Sequence, residues 1–277
     1  MRRPEFIARQ AACPTGLLGR LLGRIMAAET ADANRAAVVL LDLQPTDQVL
    51  EVGCGHGATI ALMAATVTGG YVAGVDISEE MQRQAARRNR AAMLRGAVEL
   101  RQAAAEQLPY PTERFDKALS VHTLYFWREP NRALAEIRRV LKPGGRVVLA
   151  WRHDPKAFHS FPEAVYRFHD AASVRGLLRS AGFGDARIVE RVIGGAVLYL
   201  AVAQVDSDRT VVLELGHEAL IGPGRDEGAA LGLTALREEV PVSGLSRVPV
   251  VRRSREQTSF RPAAIEALSF GPNSGRS

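Results

Sequence analysis

Two cysteines in 277 residues cannot build a disulfide framework. One of them, Cys54, sits inside a glycine loop that would not tolerate a bridge, so a reducing cytoplasm is the expected compartment. No run of eighteen apolar residues occurs, which excludes a spanning helix of that kind, and no uninterrupted apolar stretch follows the basic start to act as a secretory signal. Blocks of five or six like charges are missing, and basic residues are not interleaved with aromatics as in a single-strand groove, so no nucleic-acid partner is expected. His153, His159 and His169 are spaced by 6 and 10 residues with no cysteine or carboxylate completing a ligand pattern, so no metal site is expected. No internal repeat is visible.

What is present is an ordinary globular composition, 47% hydrophobic and 24% charged. The net charge of +6 is uneven: residues 1–205 hold 27 Lys+Arg against 20 Asp+Glu, and the remainder 9 against 10. That surplus favours anionic partners in general and selects none.

Three stretches follow from patterning. Residues 1–35 are helical in character, with Leu17, Leu18, Leu21, Leu22 and Ile25 on one stripe. The favoured reading is a helical lid that packs on the main domain. The sharper one, peripheral membrane contact through residues 16–26, is weakened by Gly19 and Gly23, which cost helix stability. Residues 36–205 alternate strand and helix: strands at 48–52, 71–75, 98–101, 115–121 and 146–151, helices at 58–66, 79–94, 130–141 and 162–181, then two strands, 185–192 and 197–204, about a Gly194-Gly195 turn. Strands separated by helices imply right-handed parallel crossovers, hence an α/β, doubly wound, mostly parallel seven-stranded sheet closed by an antiparallel C-terminal hairpin. Residues 206–277 are rich in Arg, Pro, Gly and Glu without sustained period and are expected to be a weakly structured extension.

The chemistry is carried first by Val49-Leu50-Glu51-Val52-Gly53-Cys54-Gly55-His56-Gly57, a strand that runs into three alternate glycines and then a helix. Glycines let the backbone turn sharply and approach a ligand closely, and the helix N-terminus offers free N–H groups. The G-x-G-x-G spacing is not the G-x-G-x-x-G that seats a dinucleotide pyrophosphate, which counts against a nicotinamide-dependent oxidoreductase. Asp76 ends the next strand, 19 residues beyond Gly57, where a carboxylate accepts from both hydroxyls of a ribose. Asp116, at the start of its strand, is remote from that end of the sheet and reads as structural.

With these blocks stand Gly74-Val75-Asp76-Ile77-Ser78, Ala105-Glu106-Gln107-Leu108-Pro109-Tyr110-Pro111, Arg114-Phe115-Asp116-Lys117 and Glu136 to Arg146. Together, from about Ala36 to Gln204, the sequence resembles the class I S-adenosylmethionine-dependent methyltransferases, in particular the type-11 family, whose domain is Rossmann-like. The resemblance implies S-adenosyl-L-methionine as cofactor. It implies that Gly53, Cys54, Gly55 and Gly57 form the loop against its methionine moiety, that Glu51 supports the amino group, that Asp76 holds the ribose and that Ile77 packs on adenine. The Ala105 N–H is expected to face adenine, and Ser120 to border the cofactor at the next strand end. The family often has Gly-Asp-Ala where this chain has Ala103-Ala104-Ala105, so one polar contact to adenine is missing at Ala104.

Methyl transfer is an in-line displacement, and a base is needed only for some acceptors. His122 and His153 are the candidate bases, at the expected cleft mouth. Tyr125, Trp127 and Trp151 are the candidate substrate contacts, because ten of the 16 aromatic residues fall between Tyr110 and Phe168. A small apolar or aromatic acceptor, a lipid, quinone-like molecule or other secondary metabolite, is the preferred expectation. The alternatives are an RNA or protein methyltransferase, and a non-catalytic S-adenosylmethionine-binding module.

Overall fold

The computed structural model describes residues 4–152 and 161–207. Its helices are α1 (Glu5–Ala12), α2 (Gly16–Leu41), α3 (Ala58–Thr66), α4 (Glu79–Arg88), α5 (Arg90–Leu94), α6 (Pro130–Val140) and α7 (Ala171–Ser180). Its strands are β1 (Gln48–Val52), β2 (Tyr71–Asp76), β3 (Val98–Gln102), β4 (Phe115–Val121), β5 (Leu141–Arg152), β6 (Arg187–Ile193) and β7 (Ala196–Gln204), with one 3-10 turn at Leu124–Phe126.

The strands form one sheet in the order β3-β2-β1-β4-β5-β7-β6. The first five are parallel; β7 runs antiparallel between β5 and β6. This is the doubly wound sheet with a terminal hairpin that the alternation implied. The central strands are apolar on both faces because both faces are covered. Leu41, Ile60 and Met63 pack on one face, and Leu134, Ile137 and Leu178 on the other, each fully buried.

Local chemistry sets the ends of the elements. Ser78 caps α4 by accepting from the Met81 N–H at 3.2 Å, and Glu79, Glu80, Arg87 and Arg88 oppose the helix dipole at its two ends. Asp170 caps α7 in the same way through the Ser173 N–H at 2.7 Å. Asp116 accepts from the Gln48 N–H and from Lys142 Nζ, both at 2.8 Å, so it ties the starts of β1 and β5 together as the structural residue expected.

Three segments differ from the reading of the sequence. The helix expected over 79–94 breaks at Asn89, whose side chain is turned inward to the Gly57 and Ala85 carbonyls, both at 2.9 Å. The strand expected from 146 begins at Leu141, because Phe115 pairs with Leu141 ahead of a register shift around Pro143-Gly144-Gly145. Helix α7 begins only at Ala171, not at 162. The boundary expected between residues 35 and 36 falls inside α2, which runs unbroken from the exposed leucine stripe to Leu41 in the core. Nearly all of the expected extension, residues 208–277, lies outside the described residues.

Candidate active site

Strands β1, β2 and β3 step one way across the sheet, and β4 and β5 step the other. The crevice between the ends of β1 and β4 is therefore the switch point, where open α/β sheets bind ligands. A cavity of about 410 Å³ lies there.

Its floor is the turn after β1. The Gly53 and Cys54 N–H groups both donate to the Val75 carbonyl, at 2.8 and 2.9 Å, which curls the chain across the end of β2. Gly53, Gly55 and Gly57 all have φ between +52° and +78°, the left-handed region that an L side chain enters only at a cost. Gly53 is further constrained by space: a Cβ there would lie 2.2 Å from Thr123 Cγ2.

Asp76 accepts from the Gly55 N–H through one oxygen and from the Ser78 N–H through the other, both at 2.8 Å. Burial raises its carboxyl above the usual range, against the pull of those two bonds. Each oxygen keeps a free lone pair toward the cavity. Glu51 is nearly fully buried, and its Oε2 has no hydrogen-bond partner. Burial drives its carboxyl well above the carboxylate range, while Thr59 acts in the other direction and Asp76 adds to the rise. A buried carboxylate oxygen without a donor calls for a cation or an N–H from outside the chain. Ile77 is 54% exposed and lines the cavity. Ala105 is buried in the same wall, and its N–H makes no hydrogen bond within the described residues. The set fits S-adenosylmethionine: a carboxylate for an ammonium, a glycine turn without side chains, a carboxylate for two hydroxyls and an apolar face with a free N–H for a base.

Three expected contacts are differently placed. Gly57 is not in the cavity wall; a Cβ there would meet Ala85 Cα at 2.8 Å and Asn89 Nδ2 at 2.6 Å, so its smallness serves the packing of the loop on α4. Ser120 lies behind the wall, donating to the Val52 carbonyl at 2.9 Å and bonded to Thr123, and it is Thr123 that reaches the cavity. Trp151 is fully buried, stacked on Tyr199 at 5.6 Å with its indole N–H donated to the His169 carbonyl at 2.8 Å. Alternation along β5 turns it into the core rather than toward an acceptor. Trp127 does line the cavity, beside Phe126.

His122 lines the cavity with φ +57°, and its backbone N–H is donated to the Ala150 carbonyl at 2.8 Å. Tyr125, expected at the substrate, is instead a buried support: its Oη accepts from the Arg152 N–H and lies 3.0 Å from His122 Nδ1. The direction of the Tyr125–His122 bond follows the imidazole tautomer: if the tyrosine hydroxyl donates to Nδ1, the ring proton lies on Nε2. That atom is buried with no partner. Burial, and secondarily Arg152, lowers the imidazole to about 4. His122 is thus neutral at pH 7, which corrects the expectation of a base that titrates near neutrality. His153 lies outside the described residues.

A pH dependence follows. Between about 6.5 and 4 the unfolded chain takes up a proton at this histidine that the folded chain refuses, so stability falls as the pH falls through that window. The loss approaches about 3 kcal/mol for the shift from 6.5 to about 4. Denaturant unfolding at pH 7 and pH 4.5 measures it, and His122→Asn, a residue tolerant of positive φ, should flatten the difference. An equally acid-sensitive variant would remove His122 as its source.

A further part of the wall comes from the N-terminal segment expected to be a helical lid, though none of its residues was singled out for the cavity. Cys13, Pro14, Gly23, Met26 and Thr30, from α1, α2 and the turn between them, close the cavity from the side opposite the sheet. Gly23 reads as a weak point of a helix, yet a Cβ there would meet Met81 Cε at 2.8 Å, so the glycine permits α2 to lie close on α4.

Comparison with known proteins adds the following. Residues 50–149 match the model of a family described as a methyltransferase domain. The chain is similar to the uncharacterised methyltransferase YdaC of Bacillus subtilis, 31% identical over 168 residues, 61% of this chain and 88% of that protein. It is 38% identical over 116 residues to a demethylmenaquinone methyltransferase of Symbiobacterium thermophilum, covering 42% of this chain and just 46% of that protein. Among solved structures, a SAM dependent methyltransferase from Aquifex aeolicus superposes with a TM-score of 0.53 and 25% identity, over 62% of this chain and 89% of that one.

Proposed function

The chain belongs to the class I S-adenosylmethionine-dependent methyltransferases, and on that premise we propose that it methylates a small apolar or aromatic acceptor, such as a lipid, a quinone-like molecule or another secondary metabolite. The observation that carries this reading is the aromatic lining at the β4 side of the cavity. Phe126 and Trp127 are in the wall, and Phe161, Tyr166 and Phe168 cluster with Phe126, neighbouring ring centroids lying 4.7 to 5.7 Å apart. Such a surface binds by apolar area and ring stacking rather than by charge. The similarity to a protein named demethylmenaquinone methyltransferase supports the same class of acceptor.

Bound S-adenosylmethionine supplies a methyl group made electrophilic by its sulfonium. In the proposed arrangement Glu51 receives the amino group, the Gly53-Cys54-Gly55 turn lies along the methionine moiety, Asp76 receives the ribose hydroxyls, and Ile77 and the Ala105 N–H receive adenine. Thr123, two residues beyond β4, replaces Ser120 at the cofactor. The part left to the chain is alignment, since holding an acceptor in line with the methyl group supplies much of the rate. His122 Nε2–H donates to an oxygen of the acceptor and orients it. The proposed compartment is the cytoplasm, in keeping with two free thiols, Cys13 and Cys54.

The test is release of S-adenosylhomocysteine with a panel of hydroxylated naphthoquinones, phenols and fatty acids, beside RNA and a protein mixture. Turnover confined to the apolar panel is expected. Turnover only with RNA or protein would reverse the assignment, and cofactor binding with no turnover on any acceptor would make the domain a binding module.

A further inference from the structure

Helix α2 has two faces that do different things. At about 100° per residue, Gly19, Gly23, Met26, Ala27, Thr30, Ala33, Asn34 and Ala37 fall on one side, which faces the cavity and the core. Leu17, Leu18, Leu21 and Ile25 fall on the other, within about a 100° arc, and are 79%, 43%, 58% and 47% exposed. Phe6 of α1 is 60% exposed as well. Farther along the helix the same outer face becomes charged, with Glu29, Asp32 and Arg35 exposed. Apart from Val39, 75% exposed farther along the same face, the apolar patch is confined to the first half of the helix, and large apolar side chains gathered on one exposed face mark a contact site.

The two glycines that argue against a surface helix in the sequence lie on the inner face. A Cβ at Gly19 would sit 2.7 Å from the Pro14 carbonyl carbon, and one at Gly23 2.8 Å from Met81 Cε. Their cost is met by close packing, of Gly19 on the turn before α2 and of Gly23 on α4, reinforced by the ion pair of Arg20 with the buried Glu80 at 2.7 Å. The helix is held by its inner face, and the leucines are left over.

We infer that the outer face of α1 and the first half of α2 docks on an anionic lipid surface. Charge selects this occupant over a second copy of the chain: residues 1–26 carry five arginines and one glutamate, and with Arg9 paired to Glu5 and Arg20 to Glu80 the segment still keeps a positive surplus. Two such faces therefore repel one another, and an anionic headgroup layer attracts each. Leucines seated at the headgroup boundary with arginines around them is the pattern of an interfacial helix. Since the inner face of the same helices forms a wall of the cavity, docking sets the cavity beside the membrane surface, where an apolar acceptor is held. The inference rests on the proposed apolar acceptor and adds where it is met.

The experiment is sedimentation of the full chain with phosphatidylglycerol-containing vesicles and with pure phosphatidylcholine vesicles. Sedimentation with the anionic vesicles, weakened by about 0.5 M salt through screening, is expected. Leu17→Glu/Leu21→Glu should lower that partition by about 100-fold or more, with S-adenosylmethionine affinity unchanged as the check that the variant is folded. No partition of the parent chain, or partition that the double variant keeps, would overturn the inference. So would a dimer in sedimentation velocity that the double variant dissolves, which would give the face to a second copy. Turnover on no apolar acceptor would defeat the proposed function and leave the vesicle result standing.

Discussion

Asp76→Ala is expected to weaken S-adenosylmethionine binding about 100-fold or more. In the proposed arrangement the carboxylate accepts from two ribose hydroxyls, and bonds to a charged group contribute about 1.5 to 3 kcal/mol each. At about 1.4 kcal/mol per factor of ten, two such bonds reach that figure even at the lower end. The substitution does more than remove acceptors. The Gly55 and Ser78 N–H groups, each 2.8 Å from this carboxylate, lose their partner, and the glycine turn loses its anchor on β2. Asp76→Asn should be intermediate: an amide has one acceptor oxygen, so it cannot serve both N–H groups, and its NH2 faces one of them. Calorimetric titration with S-adenosylmethionine, beside NADH, reads both variants. Unchanged affinity in Asp76→Ala would take the ribose role away from this residue, and a preference for NADH would overturn the cofactor.

Gly53→Ala is the second large effect, and it acts by sterics alone. The new methyl would be placed 2.2 Å from Thr123 Cγ2 at a φ of +78°, so the β1 turn, the Thr123 segment or both must move. The backbone part costs about 1–2 kcal/mol, and the displaced turn should cut cofactor affinity by at least about tenfold. Thr123→Ser removes the clashing methyl and keeps the hydroxyl bonded to Ser120. The double variant should therefore recover part of the affinity, while the backbone part remains, a coupling that a double-mutant cycle measures. Gly57→Ala is the contrast. Its obstacle is Ala85 and Asn89, away from the cavity, so it should lower thermal stability while the folded fraction binds the cofactor with near-normal affinity. Equal losses of affinity in Gly53→Ala and Gly57→Ala would mean that both glycines act only through the fold of the loop.

These contrasts show how far the residue pattern reaches. The glycine turn, Glu51 and Asp76 were legible because a strand running into alternate glycines, followed one strand later by an acid, is a local arrangement: each residue's task is set within a few positions of a strand end. Ile77 was legible for the same reason. Ser120 and Thr123 were not separable, because both are small hydroxyl residues at the end of β4 and only the turn of the chain decides which one the cavity meets. Trp151 and Tyr125 looked like substrate contacts because aromatics cluster there. The parity of β5 buried the first, and a hydroxyl shared between Arg152 and His122 fixed the second.

By itself, then, the order of residues determined the doubly wound sheet and the glycine loop at its switch point, because apolar periodicity and glycine placement act over one strand or one turn. The cofactor came from the family resemblance of the ordered blocks. Only the tertiary structure decided that α2 closes the cavity with one face and leaves leucines exposed on the other, since a glycine in a helix is a weakness until a neighbour is seen to press against it. It also decided that His122 is neutral, because the fold buries its ring beside Tyr125 Oη and Arg152.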